Sequence, residues 1–407
     1  MTAAQTGRRG PLVGMRVIEL AHIMAGPVCG LMLADMGAEV IKVEKLEGDD
    51  TRRTVPPALD GESAAYMMMN RGKRGLSLDL KAPEGIAVLR RLLGTADALI
   101  ENYRAGTMER LGIGYETLRE DFPALVYCSL SGFGRTGPYA DRAGFDLVAQ
   151  GMSGLMSVTG EGPGRPPMKC GPPVTDITAG ILAAMGVLAA YTNRLKTGQG
   201  QVVDTSLFEA GITHTYWQSA IAMATGIAPG PMGSAHPLNA PYEAFETADG
   251  WITIGAANQK NWTRLLTAIG MEDLAEDARF AHNLDRMANR IDLAETLAPA
   301  FRRHSSAEWL ARLEAGGVPA GPVLDVNAMH RDPQAIARDM VVEVEHTRVG
   351  RTTTLGLPVK FSLTPGRVHG AAPLLGEHSR AILADAGYDE AAIDDLLARG
   401  IVRETLA

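Results

Sequence analysis

Cysteine is scarce in this sequence, with 3 residues among 407. Cys29, Cys128 and Cys170 lie far apart and form no C-x-x-C pair, which indicates neither a disulfide framework nor a zinc site. The nine histidines show no H-x-x-x-H or H-E-x-x-H spacing, so we predict no metal site. Ser129 and Ser206 lack a G-x-S-x-G context, which disfavours a serine hydrolase. These absences are typical of a protein of the reducing cytoplasm that works without a metal.

An excess of positive charge is also missing. The 39 basic and 47 acidic residues give a formal charge of −8, which argues against nucleic acid or an anionic membrane as a partner. The N-terminal stretch MTAAQTGRRGPLVG contains arginines without an apolar segment behind them, so no secretory signal is expected. The uncharged run from Ile177 to Ala190 is shorter than the ~20 residues that span a bilayer, which favours a buried core helix.

What the sequence does have is an alternation of strand and helix patterns. Met15–Leu20 resembles a buried strand, Ala25–Pro27 opens a helix, and Glu39–Val43 predicts a second strand, which together make a βαβ unit. Further strands are predicted at Ala98–Glu101 and Leu125–Leu130, and the pattern predicts an α/β fold with a doubly wound parallel sheet. One long helix is expected from Leu207 to about Ile221.

The composition changes after that helix and indicates a second domain. Ala224–Ala240 is rich in Gly, Pro and Ala, and the following pattern predicts a hairpin around Asp249-Gly250 and then three amphipathic helices. We therefore predict a large α/β domain that is interrupted by a small α+β domain. The expected boundaries are 1–205 for the first part of the large domain, 206–240 for a helix and linker, 241–325 for the small domain, and 326–407 for the return linker and the C-terminal part of the large domain.

One glycine motif invites a different interpretation. Gly132–Gly137 reads GFGRTG and follows a predicted strand, which matches G-x-G-x-x-G, but Pro138 and Tyr139 follow where a helix should open. The motif therefore predicts a glycine-rich surface loop and gives no evidence for a dinucleotide.

Asp176 is the carboxylate at the start of the apolar run, and two roles fit its position. It can be an N-cap whose carboxylate accepts backbone N–H bonds after the Pro172-Pro173 turn. It can instead be a poorly hydrated carboxylate, kept ionised by the helix dipole at roughly 0.3–1 kcal/mol, and such a group can act as a nucleophile. The local sequence leaves both open.

Longer segments resemble a known family. GMRVIELAHIMAGPVCGLMLADMGAEVIKVEKLEGDDTR, NRGKRGLSLDLK, ENYRAGTMERLGIGYE, SLSGFGRTGPYADRAGFDLVAQGMSGLM, VTDITAG, KTGQGQVVDTSL, GGVPAGPV and APLLGEHS are similar, in order and spacing, to the class III CoA-transferases. This family includes formyl-CoA, carnitine and dicarboxylate CoA-transferases and α-methylacyl-CoA racemase. The resemblance runs from about Leu12 to Leu397. It implies a homodimer of interlocked rings, with a Rossmann-like large domain and a small domain in each chain.

The resemblance also implies a mechanism and a CoA site. Asp176 matches the family's catalytic aspartate, which passes through an aspartyl anhydride and an aspartyl-CoA thioester while CoA moves from an acyl-CoA to a free carboxylic acid. CoA is then a substrate, and no permanently bound cofactor is implied. The positions that match the family's CoA contacts are His22, Met24, Ala25, Lys45, Leu78, Lys81, Asn102, Tyr103, Arg104, Arg110 and Phe145. Arg71, Lys73 and Arg74 add to a local surplus of cations that suits the nucleotide phosphates.

Departures from the family narrow the activity. Phe145 stands where the racemase branch has a proton-transferring histidine, which disfavours racemisation. Met24 replaces a glutamine of formyl-CoA transferase, which puts oxalate as acceptor in doubt. The stretch around His236 and Pro241–Phe245 is closer to the dicarboxylate branch, which succinyl-CoA or a similar donor would serve, and His236 is either a substrate-carboxylate ligand or an ordinary loop histidine.

Three functions stay open on the sequence alone: a CoA-transferase, an acyl-CoA racemase or epimerase, and a CoA-binding protein without activity. They differ in what Asp176 does, since only the first needs it as a covalent nucleophile. The sequence does not name the donor and acceptor acids.

Overall fold

The computed structural model describes residues 7–405. The first six residues, which belong to the segment where no signal peptide is expected, and the last two lie outside the described range. The described chain divides into two compact units. One unit contains residues 7–153, Gly171–His214 and 332–405, and the other contains Gly154–Cys170 and Thr215–Arg331.

The strands are β1 (Arg16–Glu19), β2 (Glu39–Glu44), β3 (Ala58–Leu59), β4 (Glu62–Ser63), β5 (Arg74–Leu78), β6 (Ala98–Glu101), β7 (Val126–Ser131), β8 (Val202–Ser206), β9 (Tyr242–Glu246), β10 (Trp251–Gly255), β11 (Ala320–Pro322), β12 (Val341–His346), β13 (Gly350–Leu355) and β14 (Val402–Arg403).

The helices are α1 (Ala25–Asp35), α2 (Ala64–Asn70), α3 (Pro83–Leu93), α4 (Thr107–Arg110), α5 (Tyr115–Asp121), α6 (Asp146–Met152), α7 (Leu155–Val158), α8 (Val174–Thr197), α9 (Leu207–Thr213), α10 (Tyr216–Thr225), α11 (Gln259–Ile269), α12 (Asn283–Ala288), α13 (Arg290–Phe301), α14 (Ser306–Ala315), α15 (Val326–His330), α16 (Pro333–Ala337), α17 (Ser379–Asp385) and α18 (Glu390–Ala398). Short 3₁₀ turns occur at Asp50–Arg53 and Glu272–Ala275.

The first unit is built on one seven-stranded sheet with the order β14-β5-β2-β1-β6-β7-β8. Every neighbouring pair is parallel except β14 with β5. Without β14 this is the Rossmann strand order, in which the chain reverses direction across the sheet between β1 and β6. The predicted α/β class with a mainly parallel sheet is confirmed. The antiparallel edge strand β14 is too short to be predicted from its sequence.

The central strands are buried on both faces because helices cover each side of the sheet. Val17 of β1 packs in one core with Leu33 of α1 and Val187 of α8, whereas its neighbour Ile18 packs in the other core with Leu92 of α3. Successive side chains of a strand point to opposite faces, so the continuous apolar sequence of β1 serves both cores.

Helix α8 is the longest helix among the described residues. It packs against α1, α9, β7 and β8, and a Cβ at Gly180 would lie 2.6 Å from the Ala25 carbonyl oxygen. At 24 residues it is longer than its uncharged run, and within 7–405 it alone is long and apolar enough to cross a bilayer by length and composition. One such helix is weak evidence for a membrane. The prediction of a buried core helix holds for one face only, because Ile181 and Met185 on the other face are exposed.

The second unit has its own core on the three-stranded antiparallel sheet β11-β10-β9. Trp262, Phe301 and Trp309 fill this core, and the Trp309 indole N–H donates to the Phe301 carbonyl at 2.7 Å. The predicted hairpin and three helices correspond to β9, β10, α11, α13 and α14. Residues 154–170 fall in this unit, although the sequence placed them in the large domain.

The single helix expected over 207–221 is two helices. α9 ends at Thr213 and α10 begins at Tyr216, and the units divide between them. Thr213 donates its hydroxyl to the Ala210 carbonyl at 2.7 Å, and side-chain hydroxyls that bond the local backbone compete with helix continuation.

Candidate active site

Asp176 lies in the first turn of α8, but it does not cap the helix. The N-cap residue is Pro173, which makes no side-chain cap bond, so the N-cap interpretation of Asp176 is wrong. Its carboxylate makes no hydrogen bond or ion pair with any residue in the range 7–405. An acceptor group that is partly removed from water and left without a donor is costly, which indicates that this carboxylate serves something other than stability.

The electrostatics of Asp176 differ from what the helix dipole alone suggests. Burial, with a further contribution from the charge of Asp146, raises the pKa of Asp176 from 3.8 to about 6. The dipole would have lowered the pKa. The carboxylate is nevertheless ionised above pH 6, and its raised pKa makes it a stronger nucleophile than an ordinary aspartate.

Asp146, which the sequence analysis missed, holds the turn that carries Asp176. It is the first residue of α6, directly after the exposed Phe145. Its Oδ1 accepts the backbone N–H of Thr175 at 3.0 Å and the Thr175 hydroxyl at 2.8 Å, and its Oδ2 accepts the Gln150 amide at 2.7 Å. The only signal for this arrangement was two polar residues four apart in an otherwise apolar helix.

Asp176 lies on α8, the helix that packs against α1. Residues four apart share a helix face, so Asp176 lies one turn before Gly180 on the face that packs on Ala25. Met24 is the N-cap of α1 and Ala25 is its first residue. The segment that resembles the family's first CoA contact and the candidate nucleophile therefore belong to the same packed pair of helices.

A crevice opens where the sheet reverses direction, after β1 and β6. Asn102 fixes its wall, because its amide accepts the His22 N–H at 2.9 Å and donates to the His22 carbonyl at 2.8 Å. A cavity of about 410 Å³ there is lined by His22, Lys45 and Tyr103. Burial lowers the pKa of His22, so its imidazole is neutral at pH 7. Three of the predicted CoA contacts thus meet at the place where α/β sheets bind ligands.

The other predicted CoA contacts differ in accessibility. Lys81, Arg104 and Arg110 are exposed and have no carboxylate partner within 7–405, and Arg104 lines a second cavity of about 570 Å³ beside Tyr103. Lys45 is exposed and pairs with Asp50 at 2.9 Å.

Leu78 behaves differently from these cations. It is fully buried and pairs with Val402 in the sheet, which leaves its side chain no surface for a ligand.

Three further cations that were expected to serve the phosphates are used inside the fold. Arg71 pairs with Asp35 at 2.6 Å, Lys73 with Glu19 at 2.8 Å, and Arg74 with Glu39 at 2.6 Å. All three are buried, and burial lowers the pKa of Lys73 to about 8. The expectation that they bind CoA is therefore wrong, and their cost of desolvation explains why each has a buried carboxylate partner.

His236 lies in the second unit, in an aromatic cluster. Its ring stacks on Tyr242 with centroids 5.0 Å apart and meets the edge of Trp217 at 6.0 Å. Its Nδ1 accepts the Leu238 backbone N–H at 3.1 Å. Because a backbone N–H can only donate, the neutral ring carries its hydrogen on Nε2.

Groups of three or more histidine, cysteine or acidic side chains that could hold a metal ion are not found among residues 7–405. Phe145 is 68% exposed, and its side chain has no ionisable group with which to transfer a proton. Among residues 7–405 the geometry offers a partly buried carboxylate without a partner at Asp176 and an open pocket after β1 and β6.

Comparison with known proteins agrees with this geometry. Residues 12–379 match the model of the CoA-transferase family III. A succinate–glutarate CoA-transferase of Agrobacterium fabrum is 42% identical over 93% of this chain and 96% of its own length, and the succinyl-CoA:glutarate CoA-transferase of Mus musculus is 34% identical over 97% and 91%. The crystal structure of a CAIB/BAIF family protein from Brucella suis superposes with a TM-score of 0.83 at 40% identity, covering 93% of this chain and all of that one. The chain belongs to the CoA-transferase family III.

Proposed function

We propose that this enzyme moves CoA between succinyl-CoA and a small dicarboxylic acid of the glutarate type. The observation that carries the proposal is the partly buried Asp176 carboxylate, which has no partner within 7–405 and whose pKa is raised to about 6. The acid pair follows the names of the similar proteins from Agrobacterium fabrum and Mus musculus.

The chemistry begins with attack of an Asp176 oxygen on the thioester carbonyl. A C–O bond forms, the C–S bond breaks, and CoA leaves as a thiolate, which gives a mixed anhydride. The thiolate then attacks the aspartyl carbonyl and releases the donor acid, which leaves an aspartyl-CoA thioester. The acceptor carboxylate reverses both steps. Each step exchanges one good leaving group for another, and the enzyme must keep the thiolate close.

CoA is proposed to bind along the crevice after β1 and β6. His22, Lys45 and Tyr103 line it, and the exposed cations Lys81, Arg104 and Arg110 suit the nucleotide phosphates. Met24 and Ala25 offer the backbone of the first turn of α1. Asn102 holds the wall rather than the ligand, because both ends of its amide are bonded to His22. Leu78 is left out because it is buried, and Phe145 is kept as an exposed apolar surface beside Asp146.

His236 is proposed to bind a carboxylate group of the dicarboxylic acid, the one that takes no part in the reaction. Its Nε2–H is available as a donor once Leu238 has fixed Nδ1 as the acceptor, and the stack on Tyr242 holds the ring in place. A His236→Gln variant should raise KM for glutarate at least several-fold while KM for succinyl-CoA changes less. A His330→Gln variant, in the same unit, serves as the matched control.

The active form is proposed to be an interlocked homodimer in the cytoplasm. Exposed apolar side chains of the first unit support this, because Phe145, Leu147, Ile181 and Met185 are each about half exposed or more, and apolar surface that is covered in an assembly is a common reason for such exposure. Light scattering on the purified protein should give twice the chain mass, and Met185→Glu should lower it. A monomer that transfers CoA at the full rate would contradict the dimer.

The function is tested by incubating the enzyme with succinyl-CoA and a panel of free acids and identifying the products by mass. Glutaryl-CoA should form, and Asp176→Ala should abolish exchange. Glu116→Gln, which removes an exposed carboxylate from the first turn of another helix, is the control and should leave the exchange rate unchanged. Full exchange by Asp176→Ala would refute the proposal. Uptake of deuterium at the α-carbon without acceptor acid would favour a racemase instead, and unchanged CoA binding without any exchange would favour a silent binding protein.

A further inference from the structure

We propose that Asp146 positions the nucleophile and that its negative charge favours acylation of Asp176, an inference that rests on the proposed function of Asp176. Asp146 itself has no free oxygen for substrate. Both of its carboxylate oxygens are already bonded, one to Thr175 and the other to Gln150.

The first part of the proposal is geometric. Thr175 is fully buried and immediately precedes Asp176. Because Asp146 accepts both the N–H and the hydroxyl of Thr175, it fixes the residue directly before the nucleophile. The bond from Gln150 ties Asp146 in turn to its own helix. Reacting groups held within a fraction of an ångström gain most of the benefit of proximity.

Close approaches at two glycines surround this arrangement. A Cβ at Gly132 would lie 2.6 Å from the Gly144 Cα, so the end of β7 can meet the segment that leads into Asp146 only with glycine at both places. A Cβ at Gly211 would lie 3.3 Å from the Thr175 methyl carbon, so α9 also packs directly on the clamped residue.

The second part of the proposal concerns charge during the reaction. When the Asp176 oxygen attacks the thioester, its negative charge passes to the leaving sulfur, and the acylated side chain is neutral. A fixed negative charge at Asp146 destabilises the free carboxylate relative to that neutral product. The charge of Asp146 therefore raises the free energy of the reactant carboxylate more than that of the acyl-enzyme, and acylation becomes more favourable.

The other ionisable groups on the elements that pack against α8 have partners of their own. His214, after α9, bonds to the Thr178 hydroxyl at 2.8 Å, and Glu209 bonds to Ser206 at 2.7 Å. Asp204 of β8 accepts the backbone N–H of Arg135 at 3.0 Å, and Asp35 at the far end of α1 pairs with Arg71. The remaining groups are the thiols Cys29 and Cys128 and the Tyr127 hydroxyl, which are buried in the sheet and helix cores. Asp146 is the charged group that acts on Asp176.

The test compares Asp146→Asn with wild type in single-turnover acylation by succinyl-CoA across pH. The asparagine removes the charge but keeps an oxygen that can accept from Thr175. The acid limb of the acylation rate should move to lower pH by less than half of the distance between 3.8 and about 6, since burial is the larger cause. The plateau rate should fall several-fold, because the carboxylate is less nucleophilic and less destabilised, and a shift of about one pKa unit limits the change to about tenfold.

Two further variants separate position from charge. Thr175→Val keeps the backbone bond and the charge but deletes the hydroxyl donor, so it should slow acylation without moving the acid limb. Asp141→Asn removes an exposed carboxylate from the preceding loop and should change neither. An unmoved limb in Asp146→Asn overturns the charge role, and an unchanged rate in Thr175→Val overturns the positioning role, even where Asp146→Asn fails to fold.

A second experiment follows the pKa of Asp176 directly, by NMR titration of the protein labelled with ¹³C at aspartate. The signal of Asp176 is assigned as the one that is lost in Asp176→Asn. A lower pKa in Asp146→Asn supports the inference even where no acyl-enzyme forms. Absence of the acyl-enzyme in wild type would refute the proposed function and not the influence of Asp146 on Asp176.

Discussion

The sharpest consequence of the site is the pH dependence of the first chemical step. Only the ionised Asp176 can attack a thioester, and its pKa is raised to about 6 by burial and by Asp146. With that value the carboxylate is about nine-tenths ionised at pH 7 and about one-tenth ionised at pH 5. The acylation rate should therefore fall about tenfold between these two pH values. An aspartate with the ordinary pKa of 3.8 would lose less than about a tenth of its rate.

The assay is rapid mixing of excess enzyme with succinyl-CoA, followed by acid quench and measurement of the succinyl-CoA consumed, which counts both covalent intermediates. The 3′-phosphate of CoA itself titrates near pH 6, as phosphate monoesters do. The profile is therefore repeated with succinyl-dephospho-CoA, which lacks that group. Circular dichroism at pH 5 checks that the protein is still folded. A rate that stays constant down to pH 5 with both thioesters would refute the assignment of a raised pKa to the nucleophile.

The remaining predictions concern stability and binding. Asp176→Asn should stabilise the fold by about 1–3 kcal/mol at pH 8, since each pKa unit is worth about 1.4 kcal/mol and a raised carboxyl pKa weakens the folded state above pH 6. Measured by urea unfolding, this gain in stability should vanish as the pH falls below 3.8. A gain that does not depend on pH would show that the raised pKa of Asp176 is not its cause. Gly180→Val should destabilise the fold by about 1–3 kcal/mol and lower the acylation rate, because the valine side chain would overlap Ala25. Gly162→Ala, whose new methyl group meets open space, is the control. Equal stability of the two variants would refute the close contact between Gly180 and Ala25. Arg71→Gln should lower the free energy of unfolding by about 3–5 kcal/mol, because it leaves the buried Asp35 carboxylate unpaired. Arg104→Gln should leave stability unchanged and raise KM for acyl-CoA. The reverse pattern would show that Arg71 binds CoA and that Arg104 stabilises the fold.

The sequence predicted the sheet well because parallel strands buried on both faces have unmistakable apolar sequences. β1, β2 and β6 lie within a residue or two of their predicted ends, and the parallel class follows from the helices between them. The short edge strand β14 depends on pairing with β5, and so nothing local could reveal it. The break between α9 and α10 arises from local hydroxyl bonds and from the division into units, which an apolar pattern does not record.

The site was partly predictable for the same kind of reason. Asp176 was identified because it is the carboxylate nearest the start of an apolar helix, and because the motif around it resembles a family. Whether it capped the helix required the backbone geometry, which assigns the cap to Pro173. Asp146 was missed because its link to Thr175 spans 29 residues of chain. The cations Arg71, Lys73 and Arg74 were misread because a list of charges does not distinguish exposed groups from buried ion pairs.

The central claim is that the carboxylate of Asp176 becomes covalently bonded to the substrate, and oxygen labelling tests it most directly. When the acceptor acid carries ¹⁸O in its carboxylate, the bridging oxygen of the second anhydride comes from that acid. It should remain on Asp176 when the CoA thiolate attacks the acceptor's acyl carbon and leaves as the product thioester. Mass spectrometry of the peptide that contains Asp176 should then show a gain of about 2 Da after one turnover. Product formation without any label in that peptide would contradict the account.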